Sequence, residues 1–323
     1  MITGPLRDRV VCITGPTASG KTALALHLAR TLDVDLISVD SSQVYCGMNV
    51  GTAKPTQDVL EEFPHALVNV RAIDEPYSAA DFARDARELV LQSLRAERIP
   101  MLVGGTMFYL SALLEGLPEL PPADPSLRDA LSDTVRVKGL SSLYTQLSQI
   151  DPMAAQRINA NDAQRIMRAI EINTLTGKPV ADQKTVNGLL GDGISALKIA
   201  VNVPSRALLH RRIEARLVGM LNLGFIDEVR DLRSQYPDGR ESPAMRSVGY
   251  QQIWAYLENE VEFAQMREDV LTSTRRLAKR QLTWLRNERG VLWVDGTNPS
   301  TADQVLHYVT AWVGGNTRSH TLA

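Results

Sequence analysis

A glycine-rich segment near the N-terminus has the composition and spacing of a phosphate-binding loop. Residues 15–22, GPTASGKT, match the pattern G-x-x-x-x-G-K-[ST] between an apolar run and a helical pattern. In such a loop, backbone N–H groups and the start of the helix face phosphate oxygens, Lys21 would reach the outer phosphates, and Thr22 would hold Mg²⁺. The segment therefore predicts binding of a diphosphate or of the phosphates of a nucleotide. The predicted phosphate-binding residues are Gly15, Pro16, Thr17, Ala18, Ser19, Gly20, Lys21 and Thr22.

A carboxylate stands at the end of the next apolar run. The run VDLISVD ends in Asp40, and a later run, IPMLVGGT, ends in Gly104, Gly105 and Thr106. A nucleotide hydrolase typically ends a later buried strand in an aspartate that binds Mg²⁺, so these residues argue against a motor protein or a GTPase. Because parallel sheets bind substrate beyond the carboxyl ends of their strands, Asp40 is a candidate general base. An aspartate that only caps a turn is the alternative.

The elements that must position these residues alternate between strand and helix. The runs VVCIT, VDLISVD and IPMLVGGT are typical of buried parallel strands. Leu24, Leu28 and Leu32 recur every four residues after the loop, which indicates a helix. Ser78, followed three residues later by Asp81, predicts the capped start of a crossover helix. This alternation predicts an α/β fold with a P-loop NTPase-like core, in which helices flank a parallel sheet.

The pattern changes at the proline-rich segment GLPELPPAD, residues 116–124. After it we find no convincing strand until residue 196, and the best helix of this stretch begins near Asn161 with Gln164 in the capping-box position. The expected division is a P-loop core at 1–118, an inserted helical subdomain at 119–195, the rest of the core at 196–313, mostly helical with closing strands, and a flexible tail at 314–323.

Composition excludes several classes of protein. The 323 residues carry a net charge of −2, so any contact with nucleic acid must rest on local patches. Cys12 and Cys46 are too few for a disulfide framework or a four-ligand zinc site. The sequence shows neither a secretory signal nor a run of about 18 apolar residues. We therefore expect a soluble cytoplasmic protein, with a monomer as the default state.

Six short blocks follow one another in a fixed order along almost the whole chain. They are GPTASGKT, DSSQVYCGMNVGTAKP, GGTMFYL, QRIMRAIEI, RSVGYQQ and TRRLAKRQLTWLR. With these blocks the chain resembles the bacterial tRNA dimethylallyltransferases. The resemblance implies that a dimethylallyl group moves from dimethylallyl diphosphate to the exocyclic amine of the adenosine 3′-adjacent to the anticodon in tRNA. The products would be isopentenyladenosine and diphosphate, and Mg²⁺ would be the cofactor.

The resemblance also implies roles for individual residues. Asp40 would remove a proton from the attacking amine, and Thr17 would help to position the reacting groups. The adenine must leave its stack to react, and arginines can pair with phosphates or stack on the bases of a loop. The residues that match tRNA-contacting positions of the family are Asp40, Ser41, Ser42, Gln43, Thr106, Arg128, Gln164, Arg165, Ile166, Met167, Arg168, Arg246, Ser247, Val248, Gly249, Tyr250 and Gln251.

Two other functions stay open at this point. In a small-molecule P-loop kinase, Lys21 and Thr22 would bind ATP, and Asp40 would activate a substrate hydroxyl. In a non-catalytic RNA-binding module, the loop would be a relic. A long helical insertion that carries arginines argues against the kinase, which has no evident need for it.

One basic segment has no assigned role. Arg275, Arg276, Lys279 and Arg280 could neutralise the donor diphosphate, contact RNA, or form an ordinary amphipathic helix end. The residues that line the pocket for the prenyl group are not identified either.

Overall fold

The computed structural model describes residues 8–315, and its strands form one parallel sheet and one small ribbon. The strands are β1 (Arg9–Thr14), β2 (Val34–Val39), β3 (His65–Ala66), β4 (Ile99–Gly104), β5 (Gly116–Pro118), β6 (Thr185–Asn187), β7 (Ser195–Asn202) and β8 (Val291–Asp295). The order in the sheet is β3-β2-β4-β1-β7-β8, and every neighbouring pair is parallel. The remaining two strands, β5 and β6, pair antiparallel.

Helices occupy most of the rest of the described residues. They are α1 (Lys21–Ala29), α2 (Gln57–Glu62), α3 (Ala79–Arg95), α4 (Met107–Leu114), α5 (Pro125–Lys138), α6 (Leu140–Ile150), α7 (Pro152–Arg157), α8 (Ala163–Thr176), α9 (Arg206–Asn222), α10 (Phe225–Gln235), α11 (Tyr250–Leu257), α12 (Phe263–Asn287) and α13 (Thr301–Val313). Within residues 8–315, none of these helices is both long enough and apolar enough to cross a membrane.

The central strands of the parallel sheet are apolar on both faces. Residues 10–13 of β1 are completely buried, with β4 on one side and β7 on the other. A strand covered by helices on both faces must be apolar throughout, and this is why the run VVCIT does not alternate. The predicted α/β class, a parallel sheet flanked by helices, is confirmed.

One predicted helix start is confirmed and another is corrected. Ser78 caps α3, where its hydroxyl accepts the N–H of Asp81 while the Asp81 carboxylate accepts the N–H of Ser78. Helix α8 begins one residue later than predicted. Its N-cap is Asp162, whose carboxylate accepts the N–H of Arg165 at 3.2 Å, and an ionised carboxylate at this position is also favoured by the helix dipole.

Two compact units make up the described chain. One contains the described residues up to Glu115 together with those from Leu189 onward, and the other is Gly116–Gly188. The observed limits therefore differ from the expected insertion at 119–195, and residue 195 already belongs to β7. In the smaller unit, helices α5 to α8 share an apolar core, beside the β5–β6 ribbon. The sequence does not predict this ribbon, because each strand has three residues and no apolar run.

The last described element is a helix, although the sequence analysis ended the core with a strand. Helix α13 buries Val305, Val309 and Val313, which recur every four residues, against the core beneath α1. Valine is a weak helix former in isolation, so packing rather than local preference stabilises this helix. The expected flexible tail begins at Gly314, the C-cap of α13, and from residue 316 on it lies outside the described residues.

The close approach of β2 and β4 generates a prediction about stability. A Cβ added at Gly104 would lie 2.1 Å from the Val39 carbonyl oxygen, whereas one at Gly219, inside α9, would meet nothing within 4 Å. We expect Gly104→Ala to lower the free energy of unfolding by about 1 to 3 kcal/mol. Gly219→Ala should raise it by about 0.5 to 1 kcal/mol, because alanine is the better helix former. Urea denaturation of both variants measures these changes, and equal effects would contradict the prediction.

Candidate active site

Lys21 folds back over the loop that precedes α1. Its ammonium donates hydrogen bonds to the carbonyl oxygens of Gly15 at 3.0 Å and Pro16 at 2.8 Å. Burial, together with the neighbouring Arg216 and against the opposing effect of the Asp40 carboxylate, lowers the pKa of Lys21 to about 8. Lys21 therefore begins to lose its positive charge in a weakly alkaline solution.

Thr17, at the centre of the loop, is held from two sides by residues distant in sequence. Its N–H donates to the Gln281 side-chain oxygen at 2.9 Å, and its hydroxyl accepts from the Arg216 guanidinium at 3.3 Å. The Gln281 amide nitrogen donates in turn to the Gly105 carbonyl oxygen at 3.0 Å. Helix α12 thus joins the loop after β1 to the loop after β4, and α9 brings a cation to the same threonine.

Arg216 extends this network to another loop. Its guanidinium also donates to the Thr52 carbonyl oxygen at 3.4 Å. Burial lowers the pKa of Arg216, and the nearby Asp40 carboxylate opposes the shift. A guanidinium stays protonated despite such a shift. Thr17 and Thr52 are therefore both in contact with one fixed positive charge.

Asp40 lies directly after β2, at the carboxyl edge of the sheet. One carboxylate oxygen accepts the N–H groups of Ser42 at 2.9 Å and Gln43 at 3.2 Å. The turn-capping geometry that the sequence analysis gave as the alternative is therefore present. It uses one oxygen only, and the second has no hydrogen-bond partner among residues 8–315. Capping and proton acceptance are compatible in this carboxylate.

Several of the predicted tRNA-binding residues meet at this edge. The Thr106 hydroxyl accepts the N–H of Ser41 at 3.0 Å, and the hydroxyls of Ser42 and Ser247 are 2.9 Å apart. The Gln43 amide donates to the Thr52 carbonyl oxygen at 3.3 Å. The structure therefore brings together three segments of the larger unit that the sequence could only place separately.

Residues 246–251 differ in what their side chains can reach. Arg246 is exposed and pairs with Glu241 at 3.0 Å, and Gln251 is exposed as well. Gly249 is buried, Val248 and Ser247 are partly buried, and the Tyr250 ring is fully buried. The Tyr250 side chain therefore packs inside the protein and cannot touch a ligand at the surface.

The candidate residues of the smaller unit also differ in how far their side chains are exposed. Arg128 and Arg168 both donate to the fully buried Glu171 carboxylate, at 2.9 and 2.6 Å, and each keeps part of its side chain exposed. Ile166 is fully buried in the helical core, where it cannot contact RNA. Met167 packs partly against that core, while Gln164 and Arg165 are exposed.

Further cations lie along α12. Arg276, Lys279 and Arg280 are exposed there, while Arg275 pairs with Glu268 at 3.4 Å. This segment has no role predicted from the sequence, and Gln281, Arg216 and Glu228 are not among the predicted site residues. Gln281 does belong to one of the six blocks, and this position was the only available signal. Arg216 borders the buried side of an amphipathic helix, beside Leu217, but many such arginines are structural.

Ligands for a metal ion are few. In the part of the chain that the structure describes, no group of three or more His, Cys, Asp and Glu residues could hold a metal ion. The Thr22 side chain is exposed at the start of α1. A cation at this loop would therefore need phosphate oxygens from a bound ligand as its main partners.

A phosphate loop on a parallel sheet, with a carboxylate and a half-buried arginine beside it, defines a group-transfer enzyme of the P-loop α/β class. The sequence model of the IPP transferase family matches residues 43–288. The chain belongs to this family, and it is a transferase.

Solved structures agree with this assignment. A full-length tRNA isopentenylpyrophosphate transferase from Bacillus halodurans is 33% identical, with 96% of each chain covered and a TM-score of 0.68. A tRNA delta(2)-isopentenylpyrophosphate transferase from Staphylococcus epidermidis is 28% identical, covering 95% of this chain and 99% of its own, with a TM-score of 0.67. A eukaryotic dimethylallyltransferase acting on tRNA shares the fold, with a TM-score of 0.79 at 23% identity over 97% of this chain and 82% of its own. These findings do not favour the kinase or the non-catalytic module.

The lowered pKa of Lys21 generates a prediction about ligand binding. Because the pKa of Lys21 in the ligand-free protein is about 8, the loop loses a positive charge as the pH rises through that value. We expect the affinity for inorganic diphosphate to fall above pH 8 by up to about tenfold per pH unit, relative to Lys21→Met. Calorimetric titrations across this range measure it, and comparison with the variant removes the titration of diphosphate itself. Parallel pH profiles for the two proteins would contradict the prediction.

Proposed function

We propose that this enzyme transfers the dimethylallyl group of dimethylallyl diphosphate to the exocyclic amine of the adenosine 3′-adjacent to the anticodon in tRNA. The observation that carries the proposal is the meeting of opposite charges at one edge of the sheet. Asp40 acts electrostatically on both Lys21 and Arg216, and Arg216 contacts Thr17 of the loop. A proton acceptor thus stands beside a site for a departing anion.

The reaction divides into changes that these residues can assist. The bond from the first prenyl carbon to the diphosphate oxygen breaks, and a bond from that carbon to the amine nitrogen forms. The amine then loses a proton, which the free oxygen of Asp40 accepts. Lys21 and Arg216 stabilise the negative charge that develops on the leaving diphosphate, and partial burial of the site strengthens this electrostatic interaction.

Mg²⁺ fits this site as part of the donor complex. The Thr22 hydroxyl is the protein ligand available at the loop, and the oxygens of the diphosphate would supply most of the remaining positions. When bound, Mg²⁺ would supply further positive charge to the leaving group. The same loop chemistry can hold the phosphates of a nucleotide such as ATP, so the loop alone does not select the donor.

Two groups of residues support binding of the anticodon stem-loop. At the edge of the sheet, Ser41, Ser42 and Gln43, with Thr106 and the accessible residues Arg246, Ser247 and Gln251, would receive the adenine after it leaves its stack. On the smaller unit, Gln164, Arg165 and the arginine pair on Glu171 offer exposed donors for phosphates. A single chain carries all of these residues, which supports a monomer, and a cytoplasmic location is part of the same proposal.

Removal of the Asp40 carboxylate tests the proposed chemistry. With unmodified tRNA, Mg²⁺ and radiolabelled dimethylallyl diphosphate, we expect the wild-type enzyme to form labelled isopentenyladenosine. Asp40→Asn should lower the rate by about 10² to 10⁴-fold, because the amide cannot accept the proton. Asp58→Asn, at an exposed aspartate of α2, is the matched control and should leave the rate unchanged. Absence of label in tRNA with the wild-type enzyme would overturn the proposed function.

An exposed arginine tests the role of the smaller unit in tRNA binding. The side chain of Arg165 is 73% exposed and that of Arg136 is 78% exposed, and among residues 8–315 each pairs only with an aspartate of its own helix or helix cap. We expect Arg165→Ala to weaken tRNA binding and to reduce the slope of log affinity against log salt by about one unit. Arg136→Ala should change neither quantity. Filter-binding at several salt concentrations compares them, and an unchanged slope for Arg165→Ala removes this residue from the RNA contact.

A further inference from the structure

Glu228, on α10, carries a densely hydrogen-bonded carboxylate beside the site. Its two oxygens accept the N–H groups of Asn49 at 2.9 Å, Val50 at 2.7 Å and Gly51 at 3.1 Å. The Tyr250 hydroxyl also donates to it, at 2.5 Å. Three consecutive backbone donors from one loop on one side chain form a specific grip, since only a carboxylate offers two acceptor oxygens in this geometry.

The loop at residues 49–54 also packs against the helix that carries Glu228. A Cβ added at Gly51 would lie 2.0 Å from the Phe225 ring and 2.6 Å from the Tyr250 ring. The far end of the loop is held by Lys54, which is buried and donates to the side-chain oxygens of Asn49 and Asn69 at 3.0 and 2.6 Å. The loop is therefore held at both ends and cannot shift without breaking these contacts.

The held loop presents one carbonyl to the active site. The Thr52 oxygen accepts from the Arg216 guanidinium at 3.4 Å and from the Gln43 amide at 3.3 Å. Arg216 uses the other arm of its guanidinium for the Thr17 hydroxyl. The position of the Thr52 carbonyl thus determines where the guanidinium can lie above the phosphate loop.

We propose that Glu228 is a positioning residue for the transfer step: it fixes residues 49–52, and through the Thr52 carbonyl it holds Arg216 against the phosphate loop and Gln43 beside Asp40. This inference rests on the proposed function, because it concerns the same leaving group. Glu228 contacts neither Thr17 nor Asp40 itself, so its effect on the reaction passes through the loop. The Tyr250 hydroxyl ties the segment 246–251 to the same carboxylate.

Glu228→Gln and a double-mutant cycle with Arg216→Lys test this inference. Glutamine offers one acceptor oxygen and places an amide donor against backbone donors, so the loop should move. In single-turnover reactions with saturating donor and tRNA, we expect Glu228→Gln to lower the rate about tenfold or more. Because one of its two routes passes through Arg216, the double variant should be less impaired than the product of the two single effects. Glu214→Gln is the matched control, a half-exposed glutamate of α9 that pairs with Arg267, and it should keep the wild-type rate.

Glu228→Asp separates this role from simple packing. Aspartate keeps both acceptor oxygens but is shorter, whereas glutamine keeps the shape and loses an acceptor. A positioning role therefore predicts a higher rate for the aspartate variant than for the glutamine variant, and a packing role predicts the reverse. If Glu228→Gln does not fold, as judged by circular dichroism, the cycle with Arg216→Lys is run on Glu228→Asp, which should again be non-additive.

The outcomes distinguish the two proposals. A wild-type enzyme that labels no tRNA overturns the proposed function. If the wild-type enzyme is active, any of three results overturns the role of Glu228. One is a Glu228→Gln rate within about twofold of the wild-type rate, and another is that the two single effects simply multiply in the double variant. The third such result is a higher rate for Glu228→Gln than for Glu228→Asp.

Discussion

The attachment of Thr17 to helices from the second half of the chain is the constraint on which the site depends. Arg216 and Gln281 reach this threonine from 199 and 264 residues away. Without them the phosphate loop would be a general anion site at the end of a strand. Their hydrogen bonds fix the phosphate loop relative to the end of β4 and to the loop at residues 49–54. In this protein the phosphate loop is therefore completed by distant helices rather than by its own sequence.

The electrostatics of the site follow from placing cations where water is scarce. Burial lowers the pKa of Lys21 and of Lys54, both to about 8, which shows that desolvation opposes the charged form of each lysine. The cost of burying the Lys54 ammonium is offset by hydrogen bonds to carbonyl and amide oxygens, and this lysine stabilises the fold. Lys21 lies on the loop, where the charge of a diphosphate would restore its proton. Groups held in place before the ligand arrives need little reorganisation during the reaction.

One carboxylate in each unit, half-buried Glu228 and fully buried Glu171, organises the groups around it. Glu228 gathers backbone donors and a tyrosine in the larger unit, and Glu171 gathers Arg128, Arg168 and the N–H of Asp124 in the smaller one. The pKa of Glu171 is lowered because hydrogen bonds from the two arginines outweigh the effect of burial. Glu171 therefore orients Arg128 and Arg168, and a count of exposed cations would not show this orientation.

The sequence by itself determined what local physics can encode. Regular glycines and a lysine specify the phosphate loop, continuous apolar runs specify the buried parallel strands, and Ser78 with Asp81 specifies a helix start, so the α/β class and the place of Asp40 could be read directly. The β5–β6 ribbon, helix α13 and the roles of Arg216, Gln281 and Glu228 were decided only by the tertiary structure. Each depends on contacts between segments far apart in the chain. The four-residue spacing of Val305, Val309 and Val313 is compatible with a helix, but packing against the core is what stabilises it. An arginine or glutamate beside a buried face has the same local pattern whether it binds a loop or solvent.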